Sequence, residues 1–189
     1  MSRRSNSLRR KAPPVGGLLT LVLLAAGADG PKQTIEARGL SFQAPASWKS
    51  SPPTTQMRLA QLKVDPIEGD NYPAELVVFA FPGGAGSVEQ NLQRWQRMFK
   101  DKDGHAPRIE SKTVKGKNVD VVRAETSGHY TPAQFGRPEP ERPDARLLGA
   151  IITTEDVGYF IRMVGPNKTM IKLRPDFDEL LTTIQVGGK

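Results

Sequence analysis

Cysteine is absent from the 189-residue chain, and that absence excludes disulfides, thiolate zinc sites, iron–sulfur clusters and a cysteine nucleophile. It also excludes the acylated cysteine that anchors a bacterial lipoprotein just after its leader. Histidine is nearly absent, with two residues, and aromatic residues make up only 6%. No apolar run reaches the 18 or so residues that span a bilayer. No segment recurs at a period of 20 to 50 residues, so repeat architectures are excluded. A long-heptad or collagen-like pattern is missing too. What remains is a chain able to fold by packing alone: Leu, Ile, Val and Phe supply 44 residues, above the level of a disordered sequence. The 18 glycines and 16 prolines predict many sharp turns.

The net charge of +7 invites a nucleic-acid reading. The excess sits in one place. Arg3, Arg4, Arg9, Arg10 and Lys11 precede the first acid, Asp29, and the residues from Asp29 onward hold 22 bases against 20 acids. Without a basic stripe or tail there is no footprint for phosphate neutralisation along a nucleic acid. The basic stretch is followed by the apolar run Leu18–Ala25 and the small-residue end Ala26-Gly27-Ala28. That order is the pattern of a secretory signal peptide over 1–28, cleaved before Asp29. The expectation is an exported protein, periplasmic or extracellular, soluble and monomeric, without a transmembrane helix after cleavage.

Residues 29–34 read as a loose segment, and 35–186 as one domain. Ile35, Leu40, Phe42 and Ala44 alternate around Gly39 as two short strands. Met57–Val64 alternates next, and Ala74–Phe81, rich in β-branched and aromatic residues, predicts a central strand. Ser87 three residues before Gln90 is a capping box, and Val88, Leu92, Trp95 and Phe99 form one helical stripe behind it. Asn91, one step off the stripe, is placed to bond backbone. Ile109–Val114 with Val119–Tyr130, and Ala145–Thr154 with Tyr159–Val164, read as two antiparallel hairpins. Four prolines make 131–144 an exposed loop. Met170, Leu173, Phe177, Leu180, Leu181 and Ile184 close the chain as a second helix, with Pro175 kinking it or starting its second piece. The fold class is therefore α+β, a central antiparallel sheet flanked by two main helices.

Ala44-Pro45-Ala46-Ser47-Trp48, Met57-Arg58-Leu59-Ala60, Asn91-Leu92-Gln93-Arg94-Trp95 and Gly165-Pro166 before a terminal helix together resemble bacterial exported proteins with the PsbP-like fold. That fold is shared by the photosystem subunit PsbP and the Ran-binding Mog proteins. The resemblance covers nearly all of 35–186. It implies an α/β/α sandwich used as a non-enzymatic binding or assembly module, and it brings no catalytic residues with it.

Chemistry-bearing constellations are sparse. Asp101-Lys102-Asp103 begins like a calcium loop, but its twelfth position is Lys112 rather than a bidentate Glu, so a turn leaving the helix is the better reading and no metal is expected. Pro82–Ser87 is glycine-rich between strand and helix but lacks a P-loop lysine, so no cofactor is expected. Trp95 and Trp48 could serve as platforms; the stripe favours core for Trp95. Arg123, Glu125, Ser127 and His129 share one strand face, either polar and solvent-facing or in contact with a ligand. An exported hydrolase using Glu125, Ser127 and His129 is the alternative function, though residues two apart on a strand point parallel, their α-carbons about 6.5 Å apart. The preferred reading is a non-enzymatic binding or accessory module for a protein or small ligand outside the cytoplasm. Its expected contact surface is the proline-rich loop with Tyr130, Phe135, Arg137 and Arg142.

Overall fold

In the computed structural model, which describes residues 30–132 and 140–187, the alternation around Gly39 becomes a hairpin of β1 (Lys32–Ala37) and β2 (Leu40–Pro45). Both turn residues, Arg38 at φ 46° and Gly39 at φ 84°, have the positive φ that a type I′ turn requires. The strand begins earlier than Ile35. Lys32, Gln33 and Thr34 are paired with β2, and the Gln33 side chain donates to the carbonyls of Pro45 and Trp48, so half of the segment read as loose is held in place. The expected signal peptide, 1–28, lies outside the described residues.

The chain continues through β3 (Lys49–Ser50), β4 (Arg58–Val64), β5 (Ala74–Pro82), α1 (Val88–Gln96), β6 (Phe99–Lys100), β7 (Glu110–Lys115), β8 (Asp120–Tyr130), β9 (Arg142–Thr153), β10 (Val157–Pro166), α2 (Asn167–Thr182) and β11 (Gln185–Val186). The large sheet runs β3-β4-β5-β10-β9-β8-β6, with β7 also paired to β8, and all of its pairs are antiparallel. A small sheet, β1-β2-β11, packs beside α2. Consecutive hairpins explain most of this order. Among the described residues, β5 with β10 and β6 with β8 in the large sheet, and β2 with β11 in the small one, join strands that are not consecutive in sequence.

Side chains alternate across β9, so Leu147 and Ile151 face α1 while Leu148, Ala150 and Ile152 face α2. Two cores result. One lies under α2 and the small sheet, around Phe42, Trp48, Leu76, Ile161 and Phe177; the other lies under α1, around Trp95, Phe99, Tyr130 and Phe160. The molecule is thus an α+β sandwich with a mostly antiparallel sheet between two helices. Among the described residues, no helix is long and apolar enough to cross a membrane.

The capping box of α1 is formed, with the Ser87 hydroxyl accepting from the Gln90 amide and the Gln90 side chain accepting from the Ser87 amide. Asn91 is buried and donates to the carbonyls of Ala85 and Ser87, as its position off the stripe suggests. The helix ends at Gln96, before the stripe is complete: Phe99 instead lies on β6, opposite Tyr130. Its apolar side chain reaches the same core from a strand. Trp95 sits edge-on to Phe160, with ring centroids 6.5 Å apart, and directly over Gly149, where a Cβ would come within 2.3 Å of the indole. Only a glycine lets the helix lie this close.

Helix α2 is continuous through Pro175, which corrects the alternative of a second piece. Pro175 leaves the Ile171 carbonyl without its helical donor, on the exposed side of the helix, where Ile171 is 47% exposed. The N-cap residue, Pro166, offers no capping side chain. Asp70, from the β4–β5 connection, does so instead: its Oδ2 accepts from the Thr169 amide at 2.9 Å and the Thr169 hydroxyl at 2.6 Å. The proline-rich loop is shorter than 131–144, because Arg142, Pro143 and Asp144 belong to β9. Gly128 pairs with Ala145 and Tyr130 with Arg142, so Pro143 and Asp144 together oppose His129 as a bulge. A bulge tolerates a proline that supplies no ladder donor and an Asp144 at φ 47°.

Trp95→Ala should lower unfolding stability by about 3–5 kcal/mol in urea titration. Gly149→Ala should cost much less in that background than in the wild type, because the ring it would strike is gone; equal costs would contradict this packing.

Candidate functional site

Strand β8 directs Arg123, Glu125 and Ser127 toward α2, and the register on its two sides fixes what surrounds them. Lys112 lies opposite Arg123 and Glu110 opposite Glu125 on β7, while Arg146 of β9 lies opposite Ser127. Helix α2 contributes Arg174 and Asp178, four residues apart and therefore on one face.

Glu125 is the centre. Its Oε2 accepts from the Arg123 guanidinium at 2.8 Å, and its Oε1 from Arg174 at 2.6 Å and from Arg146. Arg123 is also bound through Nε to Asp178 Oδ1 at 2.6 Å, and Arg146 through Nε to Asn167 Oδ1 at 2.8 Å. One buried carboxylate, 8% exposed, thus joins β8, β9 and α2. Burial by itself pushes the Glu125 pKa up, but the Arg123 and Arg174 hydrogen bonds and the Arg123 and Arg146 charges outweigh it, so the carboxyl is held below its ordinary value. Burial likewise works against the Arg123 charge, and Asp178 and Glu125 more than offset it, so its pKa is raised.

Beside this cluster opens a cavity of about 520 Å³. Its wall carries the cations Arg108, Lys112, Arg123, Arg146 and Arg174 and the acids Glu110, Glu125 and Asp178, a formal excess of two positive charges. Pro107 is the one apolar residue in that wall. The Thr126 hydroxyl donates to the Arg108 carbonyl at 3.0 Å and holds the entry to β7 in place. Among the described residues Arg108 and Lys112 have no ion-pair partner, and Arg174 Nε is buried without a hydrogen bond.

The residues read from the sequence are distributed differently than expected. Arg123 and Glu125 are not on a solvent-facing strand edge, because α2 crosses over them. Ser127 is half-buried in the cavity wall. His129 is exposed at the bulge, with Nε2 3.2 Å from Glu141 Oε2. Among the described residues no hydrogen bond links Ser127 with His129 or Glu125. Tyr130 is fully buried, its ring 5.1 Å from Phe99 in the α1 core, which corrects its place on a contact surface. Arg142 is half-buried, its guanidinium 4.9 Å from the centre of the Tyr72 ring. Phe135 and Arg137 lie outside the described residues. Trp48 is core, 1% exposed. Asp101 Oδ1 accepts from the amides of Asp103 and His105, closing a local turn.

Sequence reasoning missed Arg108, Arg146, Arg174 and Asp178. The four-residue spacing of Arg174 and Asp178 beside the apolar stripe of α2, together with the register of the β7–β8 hairpin, was the available signal.

No family model matches the chain, and no curated protein matches it. Solved structures are similar in shape. The solution structure of cyanobacterial PsbP (CyanoP) from Synechocystis sp. PCC 6803 aligns at TM-score 0.52 and 13% identity, over 87% of this chain and 98% of that one. The crystal structure of LpqN, involved in cell envelope biogenesis of Mycobacterium tuberculosis, aligns at TM-score 0.54 and 7% identity, over 84% and 91%. A crystal structure from Bacteroides thetaiotaomicron aligns at TM-score 0.47 and 13% identity over 85% of this chain, which spans 49% of that one's length. At such identities the likeness is one of fold, and the fold is PsbP-like.

Glu125→Gln should cost about 3–5 kcal/mol near neutral pH, since it leaves three guanidiniums around a neutral amide. Because the folded-state pKa of Glu125 is lowered, its contribution is present above the ordinary carboxylate value and fades as pH falls through the folded one. Urea titrations should therefore show the gap between wild type and variant closing below about pH 4. A gap that persists unchanged as the pH falls well below that value would contradict the assignment.

Proposed function

We propose that this chain is a non-enzymatic binding or accessory module acting outside the cytoplasm, with the cavity between β7, β8, β9 and α2 as its contact site. The cavity's charge carries the reading. Its acids are mostly bound to guanidiniums within the wall, while Arg108 and Lys112 face it without ion-pair partners among the described residues. Such a wall suits the holding of a group better than its transformation. A general base needs a pKa near working pH, and Glu125 is pushed the other way. Nucleophilic catalysis needs a serine within hydrogen-bond reach of its base, and among the described residues no hydrogen bond gives Ser127 such a partner.

Action outside the cytoplasm is supported by the basic, apolar and small-residue order of 1–28. The involvement of LpqN, which is similar in fold, in cell envelope biogenesis is compatible with it. Placing the contact in the cavity departs from the loop read in the sequence, because Tyr130 is core and Arg142 is engaged with Tyr72.

Isotopically labelled protein titrated with an extract of the extracytoplasmic fraction should show amide shifts concentrated in 108–112, 123–127, 146, 174 and 176–178. Shifts confined to other surfaces would contradict the reading. Turnover of an ester and peptide panel that disappears in Ser127→Ala would replace it with the hydrolase.

A further inference from the structure

The cavity's chemistry narrows what it can hold, on the premise that it is the contact site. Its volume of about 520 Å³ lies within the range of small-molecule sites. An acyl chain or a nucleobase would need apolar or aromatic walls, and here Pro107 is the single apolar residue. The occupant is therefore small and hydrophilic.

Charge specifies it further. Glu125 and Asp178 are matched by Arg123 and Arg146, to which they are directly bonded. Arg174, which also binds Glu125, brings that cluster to one net positive charge, and Arg108 and Lys112 against Glu110 add another, so Arg108, Lys112 and Arg174 leave two positive charges to be met by the ligand. The three cations also come from three places: the segment entering β7, β7 itself and α2. A planar carboxylate is satisfied by one guanidinium fork, whereas a tetrahedral phosphoryl group presents three oxygens to donors from several directions. A phosphate ester carries about −1.5 to −2 charge at pH 7, which corresponds to the excess in the wall. Arg174 is already held by Glu125 at 2.6 Å, so less side-chain freedom is lost when an anion arrives. Ser127, on the cavity face of β8, supplies a hydroxyl for a polar remainder. We infer that the cavity binds the dianionic phosphoryl group of a small hydrophilic phosphate compound, with Arg108, Lys112 and Arg174 as its ligands.

Calorimetry and thermal unfolding of the full chain at pH 7.5 test this with four additions: glycerol 3-phosphate, inorganic phosphate, succinate, and sodium chloride at matched ionic strength. Either phosphate should bind saturably and raise the unfolding temperature. Tighter binding of glycerol 3-phosphate identifies an ester as the source, and equal binding identifies free phosphate. Both support the inference. The double variant Arg108→Gln/Lys112→Gln changes two exposed side chains and should unfold like the wild type while losing at least tenfold in affinity. Arg174→Gln should lose a similar factor. No saturable response to either phosphate, an equal response to succinate or sodium chloride, or full affinity in the double variant would overturn it. If the phosphates fail while extract-induced shifts still map to the cavity, the contact site stands and only its phosphoryl ligand is wrong.

Discussion

Glu125 accepts hydrogen bonds from three arginines that arrive from two strands and a helix, and much of the molecule's polar architecture follows from that convergence. A buried charge without partners would cost several kcal/mol. Every shift in the position of α2 relative to β8 and β9 is therefore resisted by the need to keep those guanidiniums on one carboxylate. Such clusters are seldom net stabilisers compared with apolar packing. Their value is positional, and here they hold Arg174 and Arg146 in the wall of the cavity.

The rest of the fold sets the same helix from its other end. Thr169, in the first turn of α2, is tied by backbone amide and hydroxyl to Asp70 across nearly a hundred residues of sequence. Met170, Leu173, Phe177 and Leu181 bury the helix's apolar face in the core shared with the small sheet. With its start capped and its stripe buried, the polar positions Arg174 and Asp178 can only face the β7–β8 side. On the opposite face of the sheet, the contact of Trp95 with Gly149 fixes α1 independently.

Local signals were legible in the sequence and long-range ones were not. The hairpin at Gly39, the Ser87–Gln90 cap and both later hairpins depend on residues a few positions apart, and all are present. The run to Phe99 misled because a strand can deliver an apolar side chain to the core that a helix began. Pro143 misled because a bulge admits a proline into a paired strand. Alternation on β8 showed that Arg123, Glu125 and Ser127 share a face, but period alone does not say whether a helix covers that face. The site joins residues near 110, 125, 146 and 174, and no local pattern links them. Only the register and the placement of α2 do so.

Arginine Nε–Hε spectra of the labelled full chain, followed while glycerol 3-phosphate is added, test the central claim most directly, since they separate cations that hold the fold from cations that meet a ligand. The account predicts saturable shifts for Arg174 and Arg108 while the Arg123 signal, bonded to Asp178, stays in place. Shifts that never saturate, or that move all arginines alike as ionic strength does, would contradict it.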